Sequence, residues 1–178
     1  MTGPRGQVLI GTETDDDFKG GAGADSLWGG GGDDGLRGAG GDDTLDGGDG
    51  NDTLSGGAGA DQLTGGAGND MFLVEARVCS TPDGLDRITD FTHGLDRVGF
   101  GGNVSLGGHS FWSGDAASYA DAFATATQKI ASAAADVVAV QVGGDVIVFA
   151  DTNLHDHVDG AVILVGRTLA DIDSWDVF

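Results

Sequence analysis

Seven nonapeptides follow one another without interruption from Gly11 to Leu73. In register they read GTETDDDFK, GGAGADSLW, GGGGDDGLR, GAGGDDTLD, GGDGNDTLS, GGAGADQLT and GGAGNDMFL. The sixth residue is always aspartate (Asp16, Asp25, Asp34, Asp43, Asp52, Asp61, Asp70), and the eighth is always large and apolar (Phe18, Leu27, Leu36, Leu45, Leu54, Leu63, Phe72). One such repeat cannot bury anything by itself. Stacked copies align their apolar residues into a continuous ladder, so the pattern constrains the chain to a solenoid. A disordered Gly/Asp-rich linker would have the composition but no reason to keep the eighth position apolar.

Glycines at positions one, two and four free the backbone for tight curvature and positive φ, so the first six residues of each repeat are expected to form a turn with inward-facing carbonyls. Residues seven to nine carry one apolar side chain between small or polar ones and suit a strand of about three residues. Opposite turns must then alternate: two repeats make one coil, and repeats i and i+2 lie above each other. Carboxylates fall into two columns spaced by about one strand separation, roughly 4.8 Å, where like charges repel. A cation is needed between them. The candidate ligands are the seven aspartates and the carbonyls of Gly21, Gly23, Gly30, Gly32, Gly41, Gly48, Gly50, Gly57, Gly59, Gly66 and Gly68. This all-oxygen set favours Ca²⁺ over zinc, copper or magnesium. Of the acidic residues only Glu13 and Glu75 are glutamate, as expected if a short side chain must reach an ion held against the backbone.

These repeats resemble the calcium-binding signature of RTX (repeats-in-toxin) proteins. The resemblance implies a parallel β-roll in which Ca²⁺ bridges turns i and i+2, through the pairs Asp16/Asp34, Asp25/Asp43, Asp34/Asp52, Asp43/Asp61 and Asp52/Asp70. About five or more ions follow. The first repeat lacks glycine at positions two and four, so the Asp16 turn reads as a half-site or a cap, and Ala39 departs from the pattern at position two. Beyond the repeats, Asp86, Ile88, Asp90, Phe91, Gly94 and Asp96 resemble the D-x-I-x-D-F-x-x-G-x-D run that follows the roll in serralysin-type secreted metalloproteases and adds final coils. Asp86 and Asp90 are carried over as further ligands, Asp90 foremost. Asp83, Asp86 and Asp96 read equally as solvated turn residues, and Val98, Gly99 and Phe100 stand where the family places another acid.

From Gly101 the composition changes. Asp115 reads as the N-cap of an amphipathic helix over 116–134, with Tyr119, Phe123, Ala126 and Ile130 on one face. VVAVQV and VIVFA, separated by Gly143, Gly144 and Asp145, read as a hairpin, and AVILVG is a third strand. In the intervening loop Asp151, Asn153, Asp156 and Asp159 resemble a decayed calcium loop, but Val162 stands where the closing acid belongs; it reads better as a solvated loop. His155 and His157 have no third partner for a transition metal. The tail resembles the C-terminal region of secreted RTX proteins, where a terminal acidic residue followed by apolar ones, here Asp176, Val177 and Phe178, forms part of an uncleaved type I secretion signal.

The expected fold is therefore all-β: residues 1–10 a lead, 11–73 the roll, 74–100 its final coils, and 101–178 a β-sandwich-like cap with one helix and the secretion region. The formal net charge of −21 opposes compaction until cations neutralise it. No basic patch suggests nucleic acid as a partner. No apolar run suggests a Sec signal or a membrane span. The single cysteine, Cys79, excludes an internal disulfide. No H-E-x-x-H occurs, and Gly108, His109 and Ser110 begin a nucleophile elbow that Trp112 spoils. The sequence thus points to a secreted, extracellular, non-catalytic calcium-binding module, with calcium and the type I secretion machinery as partners. Two alternatives stay open: the C-terminal part of a secreted protease, lipase or polysaccharide-modifying enzyme, with a fused catalytic domain, or an adhesin or surface-layer element that binds extracellular polysaccharide.

Overall fold

The computed structural model describes residues 5–75, 82–101, 111–132, 136–152, 158–173 and 175–177. Cys79, Gly108, His109, Ser110, Asn153, His155, Asp156, His157 and Phe178 lie outside them.

The repeats build two parallel sheets that face each other. Strands β1 (Val8–Ile10), β3 (Ser26–Gly31), β5 (Thr44–Asp49), β7 (Gln62–Ala67) and β9 (Asp86–Ile88) line one side; β2 (Asp17–Lys19), β4 (Gly35–Gly40), β6 (Thr53–Ala58), β8 (Met71–Val74) and β10 (Arg97–Phe100) line the other. The register joins Leu27 to Leu45, Leu45 to Leu63, Leu36 to Leu54 and Leu54 to Phe72, so repeats i and i+2 are stacked. Between the sheets Leu27, Leu36, Leu45, Leu54, Leu63 and Phe72 are 0% exposed, and Ile88, Phe91 and Val98 prolong the ladder. Each such burial contributes about 1.5–3 kcal/mol relative to exposure, which is why the eighth position tolerates no polar residue.

Three features depart from the expected roll. The strands from β3 to β7 are six residues long, not three, because the chain stays extended through the first three residues of the following repeat. The lead is not separate: Val8, Leu9 and Ile10 pair with Ser26, Leu27 and Trp28 and form an earlier rung, with Gln7 in the place of the repeat aspartate. The turn carbonyls of Gly30, Ala39, Gly48, Gly32, Gly41 and Gly50 lie along the stack, against the turn two repeats on, where a Cβ on Gly48, Gly57, Gly66, Gly50, Gly59 or Gly68 would collide with them.

The C-terminal strands extend one wall of the roll. β14 (Gly160–Leu164) adds in parallel to β9; β13 (Asp145–Ala150) and β12 (Val137–Val142) follow antiparallel; β11 (Phe111–Ala116) closes a nine-stranded sheet. The hairpin between β12 and β13 turns on Gly143 and Gly144, Gly143 at φ 63°. Helix α1 (Tyr119–Ala131) is the crossover joining parallel strands β11 and β12, a connection too long for a hairpin turn. Its N-cap is Ser118, whose side chain accepts from Asp121 N–H; Asp115, expected in that role, lies in β11 opposite Gln141. Ala122, Ala126 and Ile130 are buried against the outer face of the sheet, and Tyr119 and Phe123 pack on Phe149. No described helix is long and apolar enough to cross a membrane. The chain ends by adding a rung to the other wall: Val177 bridges Val98 in parallel, and Val98 N–H donates to the Asp176 carbonyl at 2.6 Å.

Candidate metal centre

Stacking places the repeat aspartates in two columns along the edges of the roll. In one, Asp25 N–H donates to Asp43 Oδ1 at 2.7 Å, Asp43 N–H to Asp61 Oδ1 at 2.8 Å, and Asp61 N–H to Asp86 Oδ1 at 3.1 Å. In the other, Asp16, Asp34, Asp52 and Asp70 donate in turn to Asp34, Asp52, Asp70 and Asp96 at 2.7–3.0 Å. One carboxylate oxygen of each of these aspartates except Asp16 thus ties its coil to the coil before it.

The second oxygen sets these residues apart. Asp34, Asp43, Asp52 and Asp70 are only 1–3% exposed, yet their Oδ2 atoms are buried with no hydrogen-bond partner. A buried carboxylate oxygen without a partner costs several kcal/mol, so a native fold keeps one only where something else satisfies it. Burial accordingly pushes the carboxyls of Asp34, Asp43, Asp52 and Asp96 above the ordinary value, and Asp70 up to about 6, with neighbouring aspartates adding to the effect. Each Oδ2 lies over the first glycine of its own repeat. A Cβ on Gly29, Gly38, Gly47 or Gly65 would fill that space, which makes position one a wall of the cradle. These glycines were not among the candidate ligands, and their need is for close approach rather than for positive φ.

The donor set and the orphaned oxygens fit a hard divalent cation such as Ca²⁺. Gly30, Gly32, Gly41, Gly48, Gly50, Gly57, Gly59, Gly66 and Gly68 all sit at positive φ in the same turns, whereas Gly21 and Gly23 do not. Asp86 and Asp96 are buried and continue the two columns; Asp96 could have been found from its spacing to Asp90. Asp83 is exposed in a short 3₁₀ turn. Asp90 takes the place of a first-position glycine at the last coil, and its two oxygens accept from Gly65 N–H at 3.0 Å and Gly66 N–H at 2.7 Å. A smaller cluster ties down the tail: His93 Nδ1 lies 2.8 Å from Asp176 Oδ2, which also accepts from Asp173 N–H at 2.7 Å.

Residues 10–45 and 37–72 match the model of the RTX calcium-binding nonapeptide repeat. The chain belongs to the RTX repeat family. RTX repeats bind Ca²⁺, and the columns of aspartates are the residues that repeat with them. Among solved structures, the AlgE6R3 subunit of the Azotobacter vinelandii mannuronan C5-epimerase is similar at 30% identity over 95% of this chain and 80% of that one, with a TM-score of 0.31. The AlgE6R2 subunit of the same enzyme is 23% identical, over 96% of this chain and 91% of that one, at 0.37. The extracellular lipase LipA of Serratia marcescens is 17% identical over 99% of this RTX chain, which spans 40% of the lipase, also at 0.37. No curated protein matches the sequence.

Proposed function

We propose that this chain is an extracellular module that stays unfolded where calcium is scarce, folds into the roll when Ca²⁺ binds, and catalyses no reaction itself. The observation that carries the reading is the row of buried carboxylate oxygens without partners at Asp34, Asp43, Asp52 and Asp70. Two ionised carboxylates one strand spacing apart repel by about 3–4 kcal/mol at an effective dielectric of 20, and the columns repeat that cost at every coil. Bound calcium would supply the positive charge that removes it. The protein's own part is to align the columns through the Leu ladder and to hold each Oδ1 on a backbone N–H, so that binding energy becomes folding energy.

Type I export completes the proposal. In the folded protein Asp176 and Val177 are buried against β10, so the resemblance of the tail to a secretion signal makes sense for a chain read before it folds. Full-length protein titrated with calcium and followed by far-UV circular dichroism tests the central claim: the β signal should be largely lost in chelator and return cooperatively with the metal. Chelated protein that keeps its full β signal refutes it.

A further inference from the structure

The seven repeat turns do not share one conformation. In the five ending at Asp34, Asp43, Asp52, Asp61 and Asp70, the second residue (Gly30, Ala39, Gly48, Gly57, Gly66) has φ of 84–110° and the fourth (Gly32, Gly41, Gly50, Gly59, Gly68) 102–146°. In the two ending at Asp16 and Asp25, neither Thr12 and Thr14 nor Gly21 and Gly23 adopt positive φ. There the turn folds onto its own aspartate. Thr12 N–H and Oγ1 donate to Asp16 Oδ2 at 2.8 and 3.1 Å, and Gly21 N–H donates to Asp25 Oδ2 at 2.6 Å. The oxygen that is orphaned at Asp34, Asp43, Asp52 and Asp70 is satisfied by the protein at Asp16 and Asp25.

At Asp25 the local sequence does not decide between the two forms. Residues 20–25 and 56–61 are the same hexapeptide, GGAGAD, yet the first is closed and the second open. What differs is the coil beneath. Gly57 and Gly59 rest on the carbonyls of Ala39 and Gly41, in a turn of their own shape, whereas the rung below Gly21 ends in Gln7, which brings a neutral amide where the other coils bring a carboxylate. With a neutral amide beneath it in place of a carboxylate, the Gly21 backbone amide is the better partner for Asp25. The far end is finished in the same manner, since Thr92 N–H donates to Asp96 Oδ2 at 2.7 Å.

We infer that the roll holds its calcium only in the five open turns, from Asp34 to Asp70, and that the Asp16 and Asp25 turns are ion-free caps closed by their own backbone. The inference rests on the calcium reading above and moves the sites away from the Asp16/Asp34 and Asp25/Asp43 pairs that the resemblance to RTX proteins implies.

The two identical hexapeptides provide the test. Bound calcium is counted on the full chain by equilibrium dialysis and native mass spectrometry for the wild type, Asp16→Asn, Asp25→Asn and Asp61→Asn. The wild-type ion count should persist in Asp16→Asn and Asp25→Asn and fall by one or more in Asp61→Asn. Loss of an ion in Asp25→Asn, or an unchanged count in Asp61→Asn, overturns the assignment. If Asp61→Asn does not fold even in calcium, the Asp25→Asn count alone decides: unchanged supports the caps, reduced refutes them. A wild type that binds no calcium sinks the calcium reading itself, an outcome distinct from ions distributed over all seven turns.

Discussion

Ala39 is the one described non-glycine residue at positive φ, 84°, in the turn position that Gly30, Gly48, Gly57 and Gly66 fill elsewhere. An L-residue held there costs about 1–2 kcal/mol because its Cβ crowds the backbone. Ala39→Gly removes that strain and adds no contact. Against it stands the greater freedom of glycine in the unfolded chain, about 0.4–1 kcal/mol. The balance favours the variant by roughly 0.5–1 kcal/mol, which for a domain of this size corresponds to about 1–4 °C in Tm. Thermal unfolding in saturating calcium, followed by circular dichroism, would read it. The reverse change at the matching position of the next repeat is the control: Gly48→Ala imposes φ 105° on alanine and drives its Cβ into the Gly30 carbonyl, so it should lower Tm well beyond the gain at residue 39. An Ala39→Gly protein that melts at or below the wild-type temperature would refute the claim that the open turns are conformationally strained for any residue but glycine.

Leu54→Ala empties the centre of the ladder and should cost about 2–5 kcal/mol, seen as a lower denaturant midpoint in calcium; a cost near zero would mean that the ladder is not a packed core. The pH response has a definite sign. Burial raises the folded-state pKa of Asp34, Asp43, Asp52 and Asp70, the last to about 6, so without calcium the protonated roll is the more stable form, and that stability is lost as pH rises from the ordinary aspartate value near 3.8 through about 6. Chelated protein should therefore gain β signal on acidification from pH 7 to 5, while the calcium midpoint moves to higher concentration; a chelated β signal that is flat or rises with pH contradicts this. Truncation before Ile172 removes the buried Ile172, Asp176 and Val177, and the truncated chain should stay in cells that export the intact chain through a type I system, while its roll still binds calcium. Equal export would leave the tail as a closing rung only.

The roll was legible because its determinants repeat every nine residues: Asp25 to Asp70 and Leu27 to Phe72 announce both the columns and the i/i+2 register. What escaped reading depends on partners distant in the chain. Gln7, Val8 and Ile10 carry no glycine or aspartate signature, and only pairing with Ser26 and Trp28 makes them a rung. The cap of the helix moved from Asp115 to Ser118 because β12 claims Asp115 for the sheet. Asp96 read as a solvated turn residue as readily as a ligand, since its burial comes from stacking on Asp70, 26 positions away. The Asp16 turn reads as a cap from its missing glycines, but the closed form of the Asp25 turn could not be read, because residues 20–25 and 56–61 are written identically.

Alternation of turns between the two walls also sets a unit of length. Successive rungs of one wall are 18 residues apart, as from Ser26 to Thr44 to Gln62. A single extra nonapeptide would send every later segment to the opposite wall: β9 would arrive where β10 belongs, β14 would lose the edge it extends, and Val177 would face a strand of the wrong column. Two extra nonapeptides would lengthen the roll by one full coil and leave each junction as it was. Gain and loss of repeats in such a chain is therefore quantised in pairs, and an odd count is a frameshift of architecture even when the reading frame is intact.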